Sequence, residues 1–274
     1  MIIKRIKRIL FKIFRMSLIS ERFKKEPPVF ESIISANPKK LFILVLAYNT
    51  PELIKLNFIA LKKFIVDDFE YFALDNSNND EESEKIKDFC MTKEINYVRL
   101  PKNPSSEPSI NAGMALNWAY RNIIERFKPE RFGIVDSDMF PTAQISINTY
   151  LDKSYAWGVI TFREPNILRG PWKKVWYMWL GLCFFRYDWF GGREPNYLPD
   201  WGVDSGGRIK INPKTIMNIP AVYWLQDPRR EEIFPEVEIH WYGTFAHFSA
   251  SSFNPVALAE KSRWMENLLS SIDK

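Results

Sequence analysis

The feature that most constrains this chain is the alternation of short apolar runs with helical patterns across its first half. The runs are continuous, which is typical of strands buried on both faces of a parallel sheet. Segments with helical spacing separate them, so each run connects to the next by a crossover. The pattern predicts an α/β fold with a mostly parallel sheet flanked by helices. The four runs are Leu41–Tyr48, Phe69–Leu74, Ile95–Leu100 and Phe132–Val135.

Polar residues stand where three of these predicted strands end. Asn49 follows the first strand, Asp75 the second and Asp136 the fourth. Ligands of open α/β sheets bind beyond the carboxyl ends of the strands. We therefore expect these three residues to share one crevice.

Two acids stand one residue apart in Asp136-Ser137-Asp138, shortly before Pro141. Side chains alternate along a strand, so Asp136 and Asp138 can point to the same side. Converging carboxylates repel each other unless a cation or donors lie between them, and hard divalent ions take oxygen ligands. The triplet predicts a site for a metal-bound diphosphate. The alternative is that Asp136 ends the strand and Asp138 caps a turn.

A second candidate carboxylate lies in a glycine-containing stretch of the second half. Asp204 stands between Gly202 and Gly206-Gly207. Glycines let the backbone pass close to a ligand, which suits a catalytic carboxylate on a rigid turn. The alternative is that Asp204 caps a short helix, a position that Asp favours.

The chain has two histidines, His240 and His247, within a stretch of strand character. They are seven residues apart, so on an unbroken strand they face opposite ways. At most one would reach the crevice unless Gly243 bends the strand. A histidine there could complete a metal's ligand set beside carboxylates. The alternative for each is an ordinary, partly buried histidine.

Aromatic residues are concentrated in the second half. Nine of the ten tryptophans follow residue 150. Most are expected to fill the core, although flat apolar rings also suit the floor of an acceptor site for sugar or lipid. The tryptophans near apolar stretches are Trp172, Trp176, Trp179, Trp189 and Trp201.

The first 25 residues differ in charge from the rest of the chain. They carry nine Lys/Arg and one Glu, a net +8, so a formal total of +5 leaves −3 for the remaining 249 residues. An acidic body argues against nucleic-acid binding. Cys90 and Cys183 lie apart in apolar surroundings, without a Cys/His cluster. This favours a reducing compartment and no zinc site.

Residues 1–25 have the pattern of a basic amphipathic helix. Apolar residues recur at helical spacing with Lys and Arg between them, which predicts a helix lying in an anionic membrane interface. The alternative is a helix docked on the protein's own core. Charges interrupt the segment too often for a transmembrane span, and it lacks the uncharged core of a secretory signal. The prolines of residues 26–40 predict a linker.

In their order, these features resemble the GT-A-fold nucleotide-sugar glycosyltransferases, especially the family-2-like group. The resemblance covers about residues 41–141. The stretches that carry it are Leu44-Val45-Leu46-Ala47-Tyr48-Asn49, Leu74-Asp75-Asn76-Ser77, Asn111-Ala112-Gly113-Met114-Ala115-Leu116-Asn117 and Asp136-Ser137-Asp138.

The resemblance implies a reaction and a set of roles. A glycosyl group would pass from a nucleoside diphosphate sugar, a UDP-sugar foremost, to an acceptor hydroxyl, with Mn²⁺ or Mg²⁺ as cofactor. Asp138 would bind the metal, Asp136 the metal or the ribose, and His247 would be a late metal ligand. Asp204 would be the catalytic base on the acceptor side. The implied donor-binding residues are Ala47, Tyr48, Asn49, Asp75 at the nucleobase, Asn111 and Asp136.

The implied organisation is a single GT-A domain behind a membrane-associating helix. Residues 41–141 would form its donor-binding half, and residues 142–274 its acceptor-binding half with a C-terminal helix. With the basic helix, this predicts a hexosyltransferase-type enzyme, cytoplasmic and peripheral on the inner face of a membrane. Its acceptor would be a glycan or lipid-linked glycan in the assembly of a cell-surface polysaccharide or glycolipid.

Two other classes remain open. One is a nucleotidyltransferase of similar fold, which would be expected to carry a Gly-rich basic loop after the first strand. Residues 47–51, Ala-Tyr-Asn-Thr-Pro, lack such a loop. The other is a non-catalytic membrane-associated binding protein in which the acids are structural.

Overall fold

The computed structural model describes residues 14–164, 174–200, 203–209, 229–234, 237–248 and 255–272. The strands are β1 (Phe30–Ser32), β2 (Leu41–Ala47), β3 (Phe69–Asp75), β4 (Asn96–Arg99), β5 (Arg131–Asp136), β6 (Met139–Pro141), β7 (Ala156–Arg163), β8 (Val175–Arg186), β9 (Arg229–Phe234), β10 (Val237–Tyr242) and β11 (Phe245–Phe248). The α-helices are α1 (14–23), α2 (Pro51–Phe64), α3 (Asp80–Thr92), α4 (Pro108–Ala119), α5 (Glu125–Phe127), α6 (Ile147–Leu151) and α7 (Pro255–Ile272), with a π-helical turn (Tyr120–Ile124) between α4 and α5 and a 3₁₀ turn (Tyr187–Phe190) after β8.

The central sheet has seven strands in the order β1-β4-β3-β2-β5-β8-β7. The four middle strands are parallel, whereas β1, β8 and β7 are added antiparallel at the edges. Helices cover both faces: α2 and α3 contribute to one hydrophobic cluster, and α1 and α4 to the other. The predicted α/β fold, with a mostly parallel sheet flanked by helices, is confirmed.

The strand order places the crevice of the sheet. The chain runs from β2 to β3 and β4 in one direction, then returns to place β5 on the other side of β2. Ligands bind at the carboxyl ends of strands where the order reverses in this way. The crevice therefore lies between the ends of β2 and β5, beside Tyr48 and Asp136.

A second sheet of four strands, β6-β11-β10-β9, is entirely antiparallel. It packs on α2 and α7 through a third hydrophobic cluster, which includes Leu53, Phe140 and Met265. Only Ser137 and Asp138 separate β5 from β6, so the chain passes from one sheet to the other at the acidic triplet. The sequence analysis did not predict this sheet, because β6 is three residues long and β10 and β11 form one continuous stretch of strand character.

The segment 26–40 is more than the predicted linker. Its residues Phe30–Ser32 form β1, which pairs antiparallel with β4. Phe30 and Glu31 are exposed and Ser32 is half-buried, so β1 lacks the apolar alternation by which a strand is recognised in a sequence.

Helix α1 is docked on the body of the protein. Phe23 is buried in the core, and Asn117 Nδ2 donates a hydrogen bond of 3.0 Å to Ser20 Oγ. The alternative of a docked helix therefore applies to residues 14–23, while residues 1–13 of the predicted amphipathic helix lie outside the described residues. On the outer side, Phe14 is 62% and Leu18 49% exposed. None of the helices that the structure describes is both long and apolar enough to cross a membrane.

Candidate active site

A cavity of about 400 Å³ opens at the carboxyl ends of β2 and β5. It brings together residues from both sheets, from the start of α4 and from the turn at 203–209. Of the predicted site residues, those that line it are Tyr48, Asn111, Asp136, Asp138, Asp204 and His247.

Asp136, Asp138 and His247 form a cluster on one side of this cavity. One potential ligand atom from each residue lies within 4.8 Å of the other two. His247 Nε2 is 3.4 Å from Asp138 Oδ1, and each of these two side chains is 13% exposed. Two carboxylates and an imidazole suit a divalent ion such as Mn²⁺ or Mg²⁺ that keeps positions open for substrate.

The electrostatics of the cluster also favour a cation. Burial, and then the negative charge of Asp138, raises the pKa of Asp136 well above its ordinary value. Asp204 adds to this effect, whereas His247 opposes it. The ionised form of Asp136 is thus disfavoured when no cation is bound, and a divalent cation between the carboxylates would stabilise it.

The hairpin between β10 and β11 brings His247 to the cluster. Gly243 lies in its turn with a φ of 61°, a left-handed conformation that glycine adopts without strain. His240 and His247 become cross-strand partners, and their ring centroids are 5.9 Å apart. The expectation for an unbroken strand, with the two facing opposite ways, does not apply, because Gly243 reverses the chain.

Trp179 is a site residue that sequence reasoning did not separate from the other tryptophans. Its partly buried indole lines the cavity, with its ring centroid 5.0 Å from that of His247 and 5.4 Å from that of Tyr242. A Cβ at Gly181 would lie 2.2 Å from Trp179 Cζ2. The indole therefore occupies its place only because residue 181 is a glycine.

Asp204 lines the same cavity from the turn at 203–209. Its Oδ1 accepts hydrogen bonds from the Ser109 hydroxyl and, at 2.7 Å, from the backbone N–H of Ser205. The described residues 203–209 form turns, so within them Asp204 does not cap a helix. Ser109, at the start of α4, is a second residue that sequence reasoning missed.

The turn that carries Asp204 is fixed by its backbone. Gly206 has a φ of 82°, and a Cβ there would lie 2.6 Å from the carbonyl oxygen of Met178. The Gly206 N–H donates to Tyr197 O at 2.8 Å. These contacts hold the turn against β8.

The predicted donor-side residues are joined by hydrogen bonds. Asn49 has a φ of 55°, and its Oδ1 accepts from the N–H groups of Asn78 and Asn79, both at 3.1 Å. Asn111 Oδ1 accepts from Asn76 Nδ2. Ala47 is fully buried and takes part through its carbonyl oxygen, which accepts from Asn76 N–H at 3.0 Å. The network ties the ends of β2 and β3 to the start of α4.

Asp75 lies beneath these residues. Neither Asp75 nor Asn49 lines the 400 Å³ cavity that Asp136 borders, so the expectation that all three share one crevice is not met. Asp75 is 0% exposed, and it accepts hydrogen bonds from Tyr97 Oη at 2.6 Å, Arg99 Nη1 at 2.9 Å, Ser77 N–H and the Ser83 hydroxyl. Burial alone would raise the pKa of Asp75, but hydrogen bonds from Ser77, Ser83 and Tyr97 hold it below its ordinary value. The nucleobase contact stays a prediction, which this geometry does not favour.

The partners of Asp75 line a second cavity of about 680 Å³. This cavity adjoins the first at Tyr48, Asn76 and Asn111, which border both. Its charged lining residues are Asp80, Glu84, Lys87, Arg99 and Lys102. Sequence reasoning singled out none of these five, because their grouping depends on how α3, β4 and the following loop pack.

Comparison with known proteins gives matches to solved structures only. No family model matches the chain, and neither does any curated protein. Among solved structures, it matches the mannosyltransferase PcManGT from Pyrobaculum calidifontis, in complex with GDP-Man and Mn²⁺, at a TM-score of 0.44 and 16% identity. The match covers 75% of this chain and 62% of that one.

Two further matches have similar sequence identities. The mannosyltransferase Ktr4p from S. cerevisiae has a TM-score of 0.40 and 10% identity, over 65% of this chain and 66% of that one. TarS 1-349 from S. aureus, in complex with UDP, has a TM-score of 0.36 and 15% identity, over 58% and 50%. The matches thus cover less than two thirds of the length of each of these proteins. The chemistry of this protein is therefore inferred from its own site residues.

Proposed function

We propose that this protein is a glycosyltransferase that moves a sugar from a nucleoside diphosphate sugar to an acceptor hydroxyl. One observation carries the proposal: Asp136, Asp138 and His247 line the same cavity as Asp204, at the point where the strand order reverses. A cluster able to hold a divalent cation and a separate carboxylate are what a metal-dependent glycosyl transfer needs.

The donor would lie across both cavities. The nucleoside would occupy the 680 Å³ cavity, whose lining includes Lys102 and the ion pair of Arg99 with Asp80. The diphosphate would then reach the cluster through the shared border at Tyr48, Asn76 and Asn111. Mn²⁺ or Mg²⁺ held by Asp136, Asp138 and His247 would supply positive charge to the leaving diphosphate. A UDP-sugar stays the first donor to test.

The acceptor side would be formed by Asp204, with Ser109 and Trp179. In an inverting reaction, Asp204 takes the proton of the acceptor hydroxyl, and that oxygen bonds to the anomeric carbon. The bond from this carbon to the diphosphate breaks, and its electron pair leaves with the diphosphate. The hydrogen bonds from Ser109 and Ser205 orient the carboxylate of Asp204. The Trp179 indole offers a flat apolar surface for a sugar ring.

The N-terminal helix would place this enzyme on the inner face of an anionic membrane. Residues 1–25 carry a net charge of +8, and α1 exposes Phe14 and Leu18 to solvent. Both features fit an interfacial helix. Arg208 Nη1, on the turn that carries Asp204, donates to Ser17 Oγ of α1 at 2.8 Å. An acceptor glycan carried by a lipid would then approach the cavity from the side of Asp204, as in the assembly of a cell-surface polysaccharide or glycolipid.

The test is a panel of nucleotide sugars, each with and without Mn²⁺. We expect one nucleoside diphosphate sugar to raise the melting temperature in a metal-dependent way, since a ligand that binds only the native state stabilises it. The same sugar should be hydrolysed slowly without acceptor. Stabilisation by nucleoside triphosphates alone would favour a nucleotidyltransferase, and binding without turnover on any acceptor would favour a binding protein.

A further inference from the structure

The acidic triplet is also the junction between the two sheets. β5 belongs to the central sheet and ends at Asp136, whereas β6 belongs to the second sheet and begins at Met139. Any movement of one sheet against the other would change the separation of the carboxylates of Asp136 and Asp138. A metal site at such a junction needs a group that fixes its backbone.

Asn57 is that group. It lies in the middle of α2 with an exposure of 0%. Its Nδ2 donates to Asp136 O at 3.2 Å and to Met139 O at 2.8 Å. One amide group thus connects the last residue of β5 to the first of β6. A polar side chain buried among apolar neighbours is unfavourable unless it is hydrogen-bonded, and these two bonds use both N–H groups of the amide.

Tyr71 on β3 orients this amide. Its hydroxyl donates to Asn57 Oδ1 at 3.0 Å. Burial raises the pKa of Tyr71 well above its ordinary value, so the phenol stays protonated and remains a donor. The ring packs edge-to-face on Phe58, with centroids 5.3 Å apart. Because Tyr71 donates to the amide oxygen, the N–H groups must face the two carbonyls of the junction.

The junction is bound from the other side by β11. The N–H of Phe248, next to His247, donates to Asp138 O at 3.0 Å. The carbonyl oxygens of Asp136, Asp138 and Met139 are therefore all hydrogen-bonded within the protein, while the carboxylates of the two aspartates line the cavity.

We propose that Asn57, oriented by Tyr71, is a positioning residue that sets the spacing of Asp136 and Asp138 for a divalent cation. The inference rests on the proposed function, because it takes the cluster to be a metal site. Residues that orient metal ligands typically change metal affinity by about 10–100-fold when they are replaced. A residue that only stabilises the fold would lower the melting temperature without changing the affinity of the folded protein.

Asn117 provides a matched control. It is also a buried asparagine on a helix, with an exposure of 3%. It bonds Ser20 Oγ at 3.0 Å and accepts from Tyr197 N–H at 2.8 Å. Neither partner belongs to the triplet or to the junction, so Asn117→Ala removes a comparable set of buried hydrogen bonds from another part of the protein.

The experiment measures the affinity of the full-length protein for Mn²⁺ alone, by electron paramagnetic resonance of the free ion, at a temperature where circular dichroism shows each variant folded. We expect Asn57→Ala to weaken Mn²⁺ binding at least tenfold and Asn117→Ala to leave it within twofold of the parent. Tyr71→Phe removes one hydroxyl and should weaken binding a few-fold. Adding Tyr71→Phe to Asn57→Ala should cause no further loss, because the two act through one connection.

The outcomes separate the inference from the proposed function. If the parent protein binds no Mn²⁺, both are overturned. If the parent binds and folded Asn57→Ala binds equally well, only the positioning role is overturned. Should Asn57→Ala fail to fold, Tyr71→Phe decides: an unchanged Mn²⁺ affinity overturns the inference, and a few-fold loss supports it.

Discussion

The two sides of the 400 Å³ cavity hold their carboxylates in place by different means. On the proposed metal side, Asp136 ends β5 and Asp138 precedes β6, and their carbonyls accept hydrogen bonds from Asn57 and from the N–H of Phe248. On the proposed acceptor side, Asp204 lies on a turn joined to the core through the Ser109 hydroxyl and the Gly206 N–H. The first side, called the metal wall below, belongs to both sheets. The second side, called the acceptor wall, is a loop that packs against β8.

The turn that carries Asp204 is also connected to helix α1. Asn117 accepts from the N–H of Tyr197, whose carbonyl accepts from Gly206, and it also donates to Ser20 of α1. The acceptor wall and the N-terminal helix thus share one support. The metal wall has no such connection among the contacts described for it. Under the membrane location proposed above, an acceptor presented at the membrane would meet the wall that is connected to α1.

The largest effect is expected when a negative charge is removed from the metal wall. Asp138→Asn keeps the shape of the side chain but removes a negative charge from the cluster. We expect turnover to fall by about three orders of magnitude or more, with Mn²⁺ binding lost and the melting temperature nearly unchanged. Steady-state kinetics at saturating Mn²⁺ measures this effect, and Asp136→Asn should be harmful as well.

Asp188→Asn is the control for this prediction. It removes the same charge from an exposed residue that pairs with Arg186 at 2.6 Å, where an ion pair contributes little. Near-parental turnover by Asp138→Asn at saturating Mn²⁺ would contradict the assignment of the metal site.

The next effect tests the acceptor wall alone. Asp204→Asn should reduce transfer by about 10²–10⁴-fold, the contribution of a general base. Donor binding should persist, because the cation cluster is unchanged, and the melting temperature should stay within a few degrees of the parent. Isothermal titration with the nucleoside diphosphate and Mn²⁺ checks donor binding. Transfer within a few-fold of the parent would place the base elsewhere or indicate a reaction that retains configuration.

The central strands could be predicted from the sequence because of how they are buried. β2 and β3 are covered on both faces, so nearly every residue is apolar, as in Leu41–Ala47. β1 and β6 have three residues each, too few for a periodic pattern to be recognised. They exist because partners distant in sequence, β4 and β11, offer free edges.

The site could be predicted only in part, for a related physical reason. Asp136 and Asp138 are close in sequence, so their convergence follows from strand geometry. His247 reaches them through a hairpin turn at Gly243 and a second sheet. Trp179 faces the cavity on β8, whose pairing with β7 is interrupted by a register shift between Gly158 and Ile160. The burial of Asp75 depends on donors from α3 and β4. The direction in which each of these side chains points depends on tertiary packing, which local sequence patterns do not encode.

The third prediction concerns the basic segment that precedes α1. Deleting residues 1–13 removes Lys4, Arg5, Lys7, Arg8 and Lys12, each worth about 1 kcal/mol near an anionic surface. Binding to vesicles that contain anionic lipid should weaken by about two orders of magnitude or more, whereas transfer to a soluble acceptor should persist. A deletion to residue 20 is less informative, because it also removes the contacts of Ser17 and Ser20 with the body.

Sedimentation with vesicles measures this effect, with neutral-lipid vesicles and added salt as controls, because salt screens surface charge. In the full-length chain, changing the exposed residues Phe14 and Leu18 to Glu tests the apolar contribution separately. Equal binding by the truncated and full-length proteins to anionic vesicles would mean that the segment 1–13 serves another purpose.

The smallest effect concerns Trp179, which stands between the walls. Its indole contacts His247 of the metal wall and lines the cavity that Asp204 shares. Truncation to Ala removes a flat apolar surface for a sugar ring, and each Å² of apolar area that the ring would bury there is worth about 25 cal/mol. We expect the KM for acceptor to rise about tenfold, with kcat and Mn²⁺ affinity changed less than threefold. Trp179→Phe should recover most of the loss.

Trp189→Ala is the control, because Trp189 is also partly buried and stacks on Phe185 at 5.2 Å outside the cavity. It should lower the melting temperature without changing the KM. A KM shift of equal size in both alanine variants would show that the loss arises from general destabilisation, and that the indole of Trp179 does not contact the acceptor.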